Sequence, residues 1–117
     1  MANTSAYRFV GPTTAITVTS SSSTAVIITP NGNDQVNFCG FLNTGTTPIA
    51  VTIAPAVLGT TTTAPAAVLP TGGNTSQSFV LGVSMSSPQV MVVPPVFSVT
   101  AIGTANTLYV MPMVDQN

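Results

Sequence analysis

The sequence predicts an all-β chain, a single antiparallel β-sandwich or jelly-roll-like domain of about eight short strands. Three observations carry this expectation. Aliphatic and aromatic residues alternate with hydroxyl-bearing and small residues in short windows, the pattern of a strand with one buried face. Turn signals such as PNGND, NTGTTP, PTGGNT and GTAN separate these windows, at the spacing of about a dozen residues typical of sandwiches and barrels. No stretch holds a 3.6-residue apolar period, because Pro, Gly or clustered β-branched residues interrupt every candidate helix.

Taken in chain order, residues 1–12 contain SAYRFVGP and read as an N-terminal arm or an edge strand. Thr14–Thr19 places Ile16 and Val18 on one face and Thr17 and Thr19 on the other. Ser20–Ser23 is then a polar tip, and Ala25–Thr29 returns to complete a hairpin. VNFCGFL, residues 36–42, carries bulk on both faces: Val36, Phe38, Gly40 and Leu42 alternate with Asn37, Cys39 and Phe41. Such a strand is central or covered by a loop, and its mid-strand glycine marks a bulge or a close approach. Asn43-Thr44-Gly45 then reverses the chain into Ile49–Ala54, whose Ile49, Val51 and Ile53 fill the core.

Residues 55–76 change character. Three prolines, three glycines and a threonine run make a long connection with a short strand at Ala67–Leu69, and loops of this length are functional or mobile in compact domains. Ser78–Val83, Gln89–Val93, Val96–Ile102 and Leu108–Met113 complete the strands. The prolines fall at strand ends, where a missing N–H costs no ladder bond. The organisation is one sandwich over residues 13–113, with the 55–76 loop inside it and a short tail at 114–117.

Composition narrows the function. Only 3% of the 117 residues are charged, against about 25% in an ordinary domain. Arg8, Asp34 and Asp115 are the full set, while 20 Thr and 11 Ser carry the polar work. Disorder demands low hydrophobicity with high net charge, and a chain that is 44% hydrophobic with a net charge of −1 has neither. So little charge cannot keep copies apart, which points to life in an assembly. A single arginine cannot neutralise phosphates, so no nucleic acid and no membrane surface is expected as a partner. The longest apolar runs, such as Val90–Val93, are far too short for a spanning helix. MANTSAYRFVGP lacks the basic start and apolar stretch of a secretory signal, so synthesis in a cytoplasm is expected.

Catalysis is not expected either. Asp34 sits in a turn, Asp115 is near the end, and Cys39 and the serines have no histidine to activate them. Neither zinc nor calcium finds a ligand set, and GTTTTAP lacks the lysine of a phosphate loop. No cofactor, metal or catalytic residue is therefore expected. A threonine-based ice-binding face would need Thr-x-Thr in register across many strands, and here it stands clearly only at Thr17 and Thr19.

From residue 36 onward the order of features resembles small virion proteins of tailed bacteriophages. An apolar strand runs into FLNTGTTPIAVTIAPA, an Ala/Thr/Pro-rich loop leads to SQSFVLG, and the chain ends in VFSVTAIGTANTLYVMPM. The similarity covers about the last two-thirds of the chain and is to short structural proteins, many of them described as capsid cement or decoration proteins. It implies a β-sandwich bound outside an icosahedral head, with the major capsid protein and further copies of itself, as dimer or trimer, for partners. A tail, baseplate or head-fibre component fits the same pattern, whereas a secreted adhesin would carry a signal. The expected contact residues are Tyr7, Arg8 and Phe9 at the N-terminus, where Tyr and Arg suit interface anchors. Val57, Leu58, Val68 and Leu69 of the long loop are the second expected group.

Overall fold

The computed structural model describes residues 7–30, 36–56, 64–73 and 75–115, with Asp115 by its backbone alone. Asp34, Val57, Leu58 and the Thr60–Thr63 run lie outside the described residues. The described residues form nine strands: β1 (Tyr7–Phe9), β2 (Thr14–Val18), β3 (Val26–Ile28), β4 (Phe38–Asn43), β5 (Ile49–Pro55), β6 (Phe79–Leu81), β7 (Gln89–Val92), β8 (Phe97–Ile102) and β9 (Asn106–Asp115). The described residues include no helix.

Two antiparallel sheets form the sandwich. Sheet A runs β1-β9-β4-β7, with β2 also paired to β9; sheet B runs β3-β8-β5-β6. Because β1 meets residues 113–115 of β9 and β2 meets residues 106–110, the two lie end to end along one side of it. The result is eight rows from nine strands. Pairing is nested: β2 with β9, β3 with β8, β4 with β7, and β5 with β6.

Between the sheets lie the inward residues of every row. Ile16 and Val18 of β2, Cys39 and Phe41 of β4, and Leu108 and Val110 of β9 face Ile28, Ile49, Val51, Phe97 and Val99 of sheet B. The alternation in the sequence thus becomes the core as expected, with Ile53 only partly buried.

Two turns do something other than close hairpins. Thr14–Thr19 and Ala25–Thr29 do not pair with each other, since β2 lies in sheet A and β3 in sheet B. The hydroxyl-rich connection docks on the end of β8 instead. Ser23 donates its N–H to Ala101 O at 2.8 Å, Ala101 N–H bonds Ser23 Oγ at 3.0 Å, and Gly103 N–H reaches Thr19 O at 2.9 Å. These bonds hold the chain as it crosses between sheets, so each strand buries its apolar face from its own side.

The Asn43 turn is likewise a crossing from sheet A to sheet B. Asn43 is fully buried, and its amide donates to Thr47 O at 2.8 Å and Gly82 O at 2.9 Å while its Oδ1 accepts the Gly45 N–H at 3.0 Å. Asn106, at the start of β9, donates to the same Thr47 carbonyl at 2.8 Å. Its Oδ1 stands where a Cβ on Gly45 would fall, so that glycine is needed for close approach. The β6–β7 loop is drawn in as well: Ser84, in the left-handed region at φ 51°, donates to Gly45 O, and Met85 N–H bonds Asn43 O.

Strand β9 runs past the expected end at Met113 to Asp115, which puts Pro112 inside a strand with neighbours on both sides. Its carbonyl accepts the Val10 N–H at 3.1 Å. In a strand the nitrogen of a residue faces the same neighbour as its carbonyl, so the missing N–H of Pro112 faces Val10, where the chain leaves β1, and the ladder towards β4 is untouched.

The described part of the long loop is a strap across the outer face of sheet B. Ala67–Leu69 forms no strand, because its amides bond side chains rather than a neighbouring ladder. Ala67 N–H goes to Ser22 Oγ at 2.9 Å and Val68 N–H to Ser78 Oγ at 3.1 Å. Beneath the strap, Thr52 bonds Ser78 through their hydroxyls, Ser98 Oγ accepts the Ala64 N–H, and Thr100 donates to Pro65 O at 2.7 Å. Thr52, Ser98 and Thr100 are all buried, so these outward-facing hydroxyls meet the chain itself and not solvent. No buried side-chain nitrogen or oxygen among the described residues lacks a partner. Ser98→Ala should therefore cost about 1–3 kcal/mol, since it strands the buried Ala64 amide. Urea unfolding checks this, and a loss below about 0.5 kcal/mol would show that the strap amide finds water instead.

Candidate interaction face

Alternation that sends one side of each strand to the core sends the other side out. On sheet B the strap covers that outer side over β5 and β8, while Val80 of the edge strand β6 is half exposed. On sheet A, the β4–β9 register places Phe38 opposite Met113, Gly40 opposite Met111 and Leu42 opposite Tyr109. Strand β1 adds Tyr7 and Phe9, which sit opposite Asp115 and Met113, and β7 adds Val90 and Val92 opposite Gly40 and Phe38. The outer face of sheet A is thus a row-by-row apolar surface that no described segment covers. Phe9 is 63% exposed and Val92 76%.

Local packing keeps this face flat. A Cβ on Gly40 would lie 2.5 Å from Met113 Cε and 3.1 Å from Pro88 Cβ. The mid-strand glycine therefore makes room for side chains rather than marking a bulge, and pairing continues through it on both sides. Tyr7 meets Phe38 edge to face, with ring centroids 5.1 Å apart. At one end the face passes into the hydroxyls of Thr17 and Thr107, which are register partners. At the other end Tyr7 pairs through the backbone with Asp115.

Of the residues expected from the sequence to make contacts, the structure brings Tyr7 and Phe9 onto this face. Arg8, between them, alternates to the opposite side of the same strand, as partner of Val114. Val68 and Leu69 are exposed on the strap, on the opposite side of the sandwich, and join no cluster with the N-terminus. Phe38, Leu42, Tyr109, Met111 and Val92 were not foreseen as contact residues. The available signal was bulk on both faces of VNFCGFL and again in LYVMPM, which in a sandwich means one apolar face too many.

A second apolar feature opens between the edge strands β6 and β7. Phe79, Leu81, Met85 and Met91 line a groove of about 410 Å³ there, with Phe79 stacked edge to face on the buried Phe41 at 5.3 Å. Nothing ionisable lines it. Cys39 lies in the core, fully shielded, and burial pushes its thiol up to about 12 against a partial lowering by a backbone bond from Met111. No group of three potential metal-ligating residues occurs among the described residues.

The Cys39 shift has a sign that can be checked. Below pH 9, the ordinary value, folded and unfolded chains both carry the neutral thiol and no dependence arises. Between 9 and about 12 only the unfolded chain loses the proton, so stability falls by up to about 1.4 kcal/mol per pH unit. Cys39→Ala should lack that component when urea unfolding is followed over this range; equal slopes for both chains would contradict it. Comparison with protein-family models, with curated proteins and with solved structures returned no match to this chain.

Proposed function

We propose that this chain is a non-enzymatic structural protein of a phage virion, a cement or decoration protein that binds the outside of the head and reinforces capsomer contacts. The observation that carries the reading is the asymmetry of the sandwich. One outer face is sealed by the chain's own strap through buried hydroxyls, and the other is left apolar and almost without charge. Such a surface works by contact, because shape, apolar area and hydrogen bonds are all it has to offer. We read the nested strand pairing as a jelly roll, in keeping with the resemblance to phage virion proteins, whose expected partners are the major capsid protein and further copies of the chain.

The test is attachment of purified protein to heads assembled without it, titrated against NaCl. Exposed ion pairs weaken strongly with salt while apolar contacts do not, so binding should be saturable and nearly flat from low to moderate salt. A steep loss over that range would refute the contact mode. Attachment to tails and not to heads would move the protein to the tail or baseplate.

A further inference from the structure

We infer that the outer face of sheet A seats a second copy of this chain, packed face to face about a two-fold axis. The inference rests on the assembly role proposed above and names the partner at one surface of it.

Charge is the first argument. A partner of ordinary composition, with about a quarter of its residues charged, would press ionised groups against Phe38, Leu42 and Tyr109. Desolvating them there without a counter-charge is costly. A second copy brings few, because only 3% of the chain is charged and its net charge is −1. The self-contact is therefore the one with the least electrostatic cost.

Size is the second. At about 3.4 Å per residue β9 spans roughly 34 Å, β4 roughly 20 Å and β7 roughly 14 Å, in rows about 4.8 Å apart. The face then covers roughly 450 Å² in projection, before side-chain relief is added, at the low end of specific two-partner interfaces. Its make-up agrees: aromatic side chains and methionine belong to interface centres and hydroxyls to the rim, as Thr17 and Thr107 are placed here.

Closure is the third. Each copy has one sheet face of this kind, since the strap occupies the other. A two-fold contact consumes both faces at once and stops at two copies. The pair then carries a strap, with exposed Val68 and Leu69, on each outer side.

Sedimentation velocity of the full-length chain tests this, with circular dichroism as the check on folding. Wild type should sediment as a dimer, at twice its 11.8 kDa mass. Phe9→Lys and Val92→Lys place a charge on exposed positions of the face, so the fold is kept and dimerisation should weaken at least about tenfold, the effect of a buried unpaired charge. Val68→Lys, on the strap, should leave the dimer unchanged. A wild-type monomer, a trimer, or a dimer untouched by the two face variants would overturn the inference. A monomer whose attachment to heads is lost in Val92→Lys would likewise overturn it and hand the face to the capsid. The two readings fail separately: a face-to-face dimer that binds no virion part removes the virion role and leaves the dimer standing.

Discussion

Replacing Asn43 with alanine should cost about 3 kcal/mol of stability, a large part of what a domain this size possesses. The side chain is fully buried and makes three hydrogen bonds, each to backbone from a different part of the crossing. Without it the Gly45 amide and the Gly82 carbonyl lose their partners, while Thr47 O keeps its bond from Asn106. Two orphaned groups at about 1–3 kcal/mol each set the scale, less whatever Gly82 recovers from water at its exposed position. Asn43→Asp should be worse near neutral pH, because a carboxylate would face two carbonyl oxygens in a site closed to solvent. There the folded state would favour the protonated acid, raising its folded pKa above the unfolded value. The destabilisation should therefore shrink as pH falls towards the unfolded carboxylate range and grow as pH rises. Urea midpoints over a pH series decide it; an aspartate variant insensitive to pH, or an alanine variant within about 0.5 kcal/mol of wild type, would remove Asn43 as the tie between sheets.

How much of this was legible in the residues differs from element to element. Ile49, Val51, Phe97 and Val99 could be placed by alternation, because a period of two has one solution once a strand is granted. The partner of each strand could not. Thr14–Thr19 and Ala25–Thr29 have the look of a hairpin, yet the Thr19 carbonyl and the Ser23 hydroxyl bond the end of β8 and send the second strand to the other sheet. Asn43-Thr44-Gly45 announces a turn, but nothing local tells a hairpin turn from a crossing. That depends on Gly82 and Asn106, which are distant in sequence. Pro112 reads as a strand end because a proline inside a strand loses a bond, and that its missing N–H faces Val10, just before the Gly11-Pro12 break, is visible only in the folded register.

The contact surface was half legible for a related reason. Tyr7 and Phe9 stand out in a segment with few other features. Phe38 and Leu42 do not, because in VNFCGFL either set of alternating residues fits the core. The choice falls to Cys39, Phe41 and Asn43, since Asn43 must reach Gly82 and Thr47 across the crossing, and the strand's other side is then outward. The strap followed the opposite logic. Its amides are satisfied by hydroxyls on Ser22, Ser78 and Ser98, so residues that read as ordinary outward positions became the floor of a covered face.

Phe41→Ala should produce the other large loss, about 3–5 kcal/mol and on the order of 10–20 °C in Tm. Phe41 has no exposed surface and is among the largest side chains wholly inside the core. It also joins the sheets on their open side, where its ring meets Phe79 of β6 at 5.3 Å and 71°. Deleting the ring leaves a cavity beside the β6–β7 groove, while Phe41→Leu, which keeps much of the volume, should lose only about 1–2 kcal/mol. A double-mutant cycle with Phe79→Ala should return a coupling of about 0.5–1.5 kcal/mol for the ring pair; zero coupling would mean the loss is cavity alone. The contrast with the outer face is the sharper test. Phe41 points inward from the same strand that sends Phe38 and Leu42 outward, so Phe41→Leu should lower stability and leave the sedimenting mass of the folded protein unchanged. Val92→Lys, exposed on the outer side, should change the mass with little loss of monomer stability. If the two variants moved both quantities together, core and contact face would be one cooperative unit and not the two sides of one sheet.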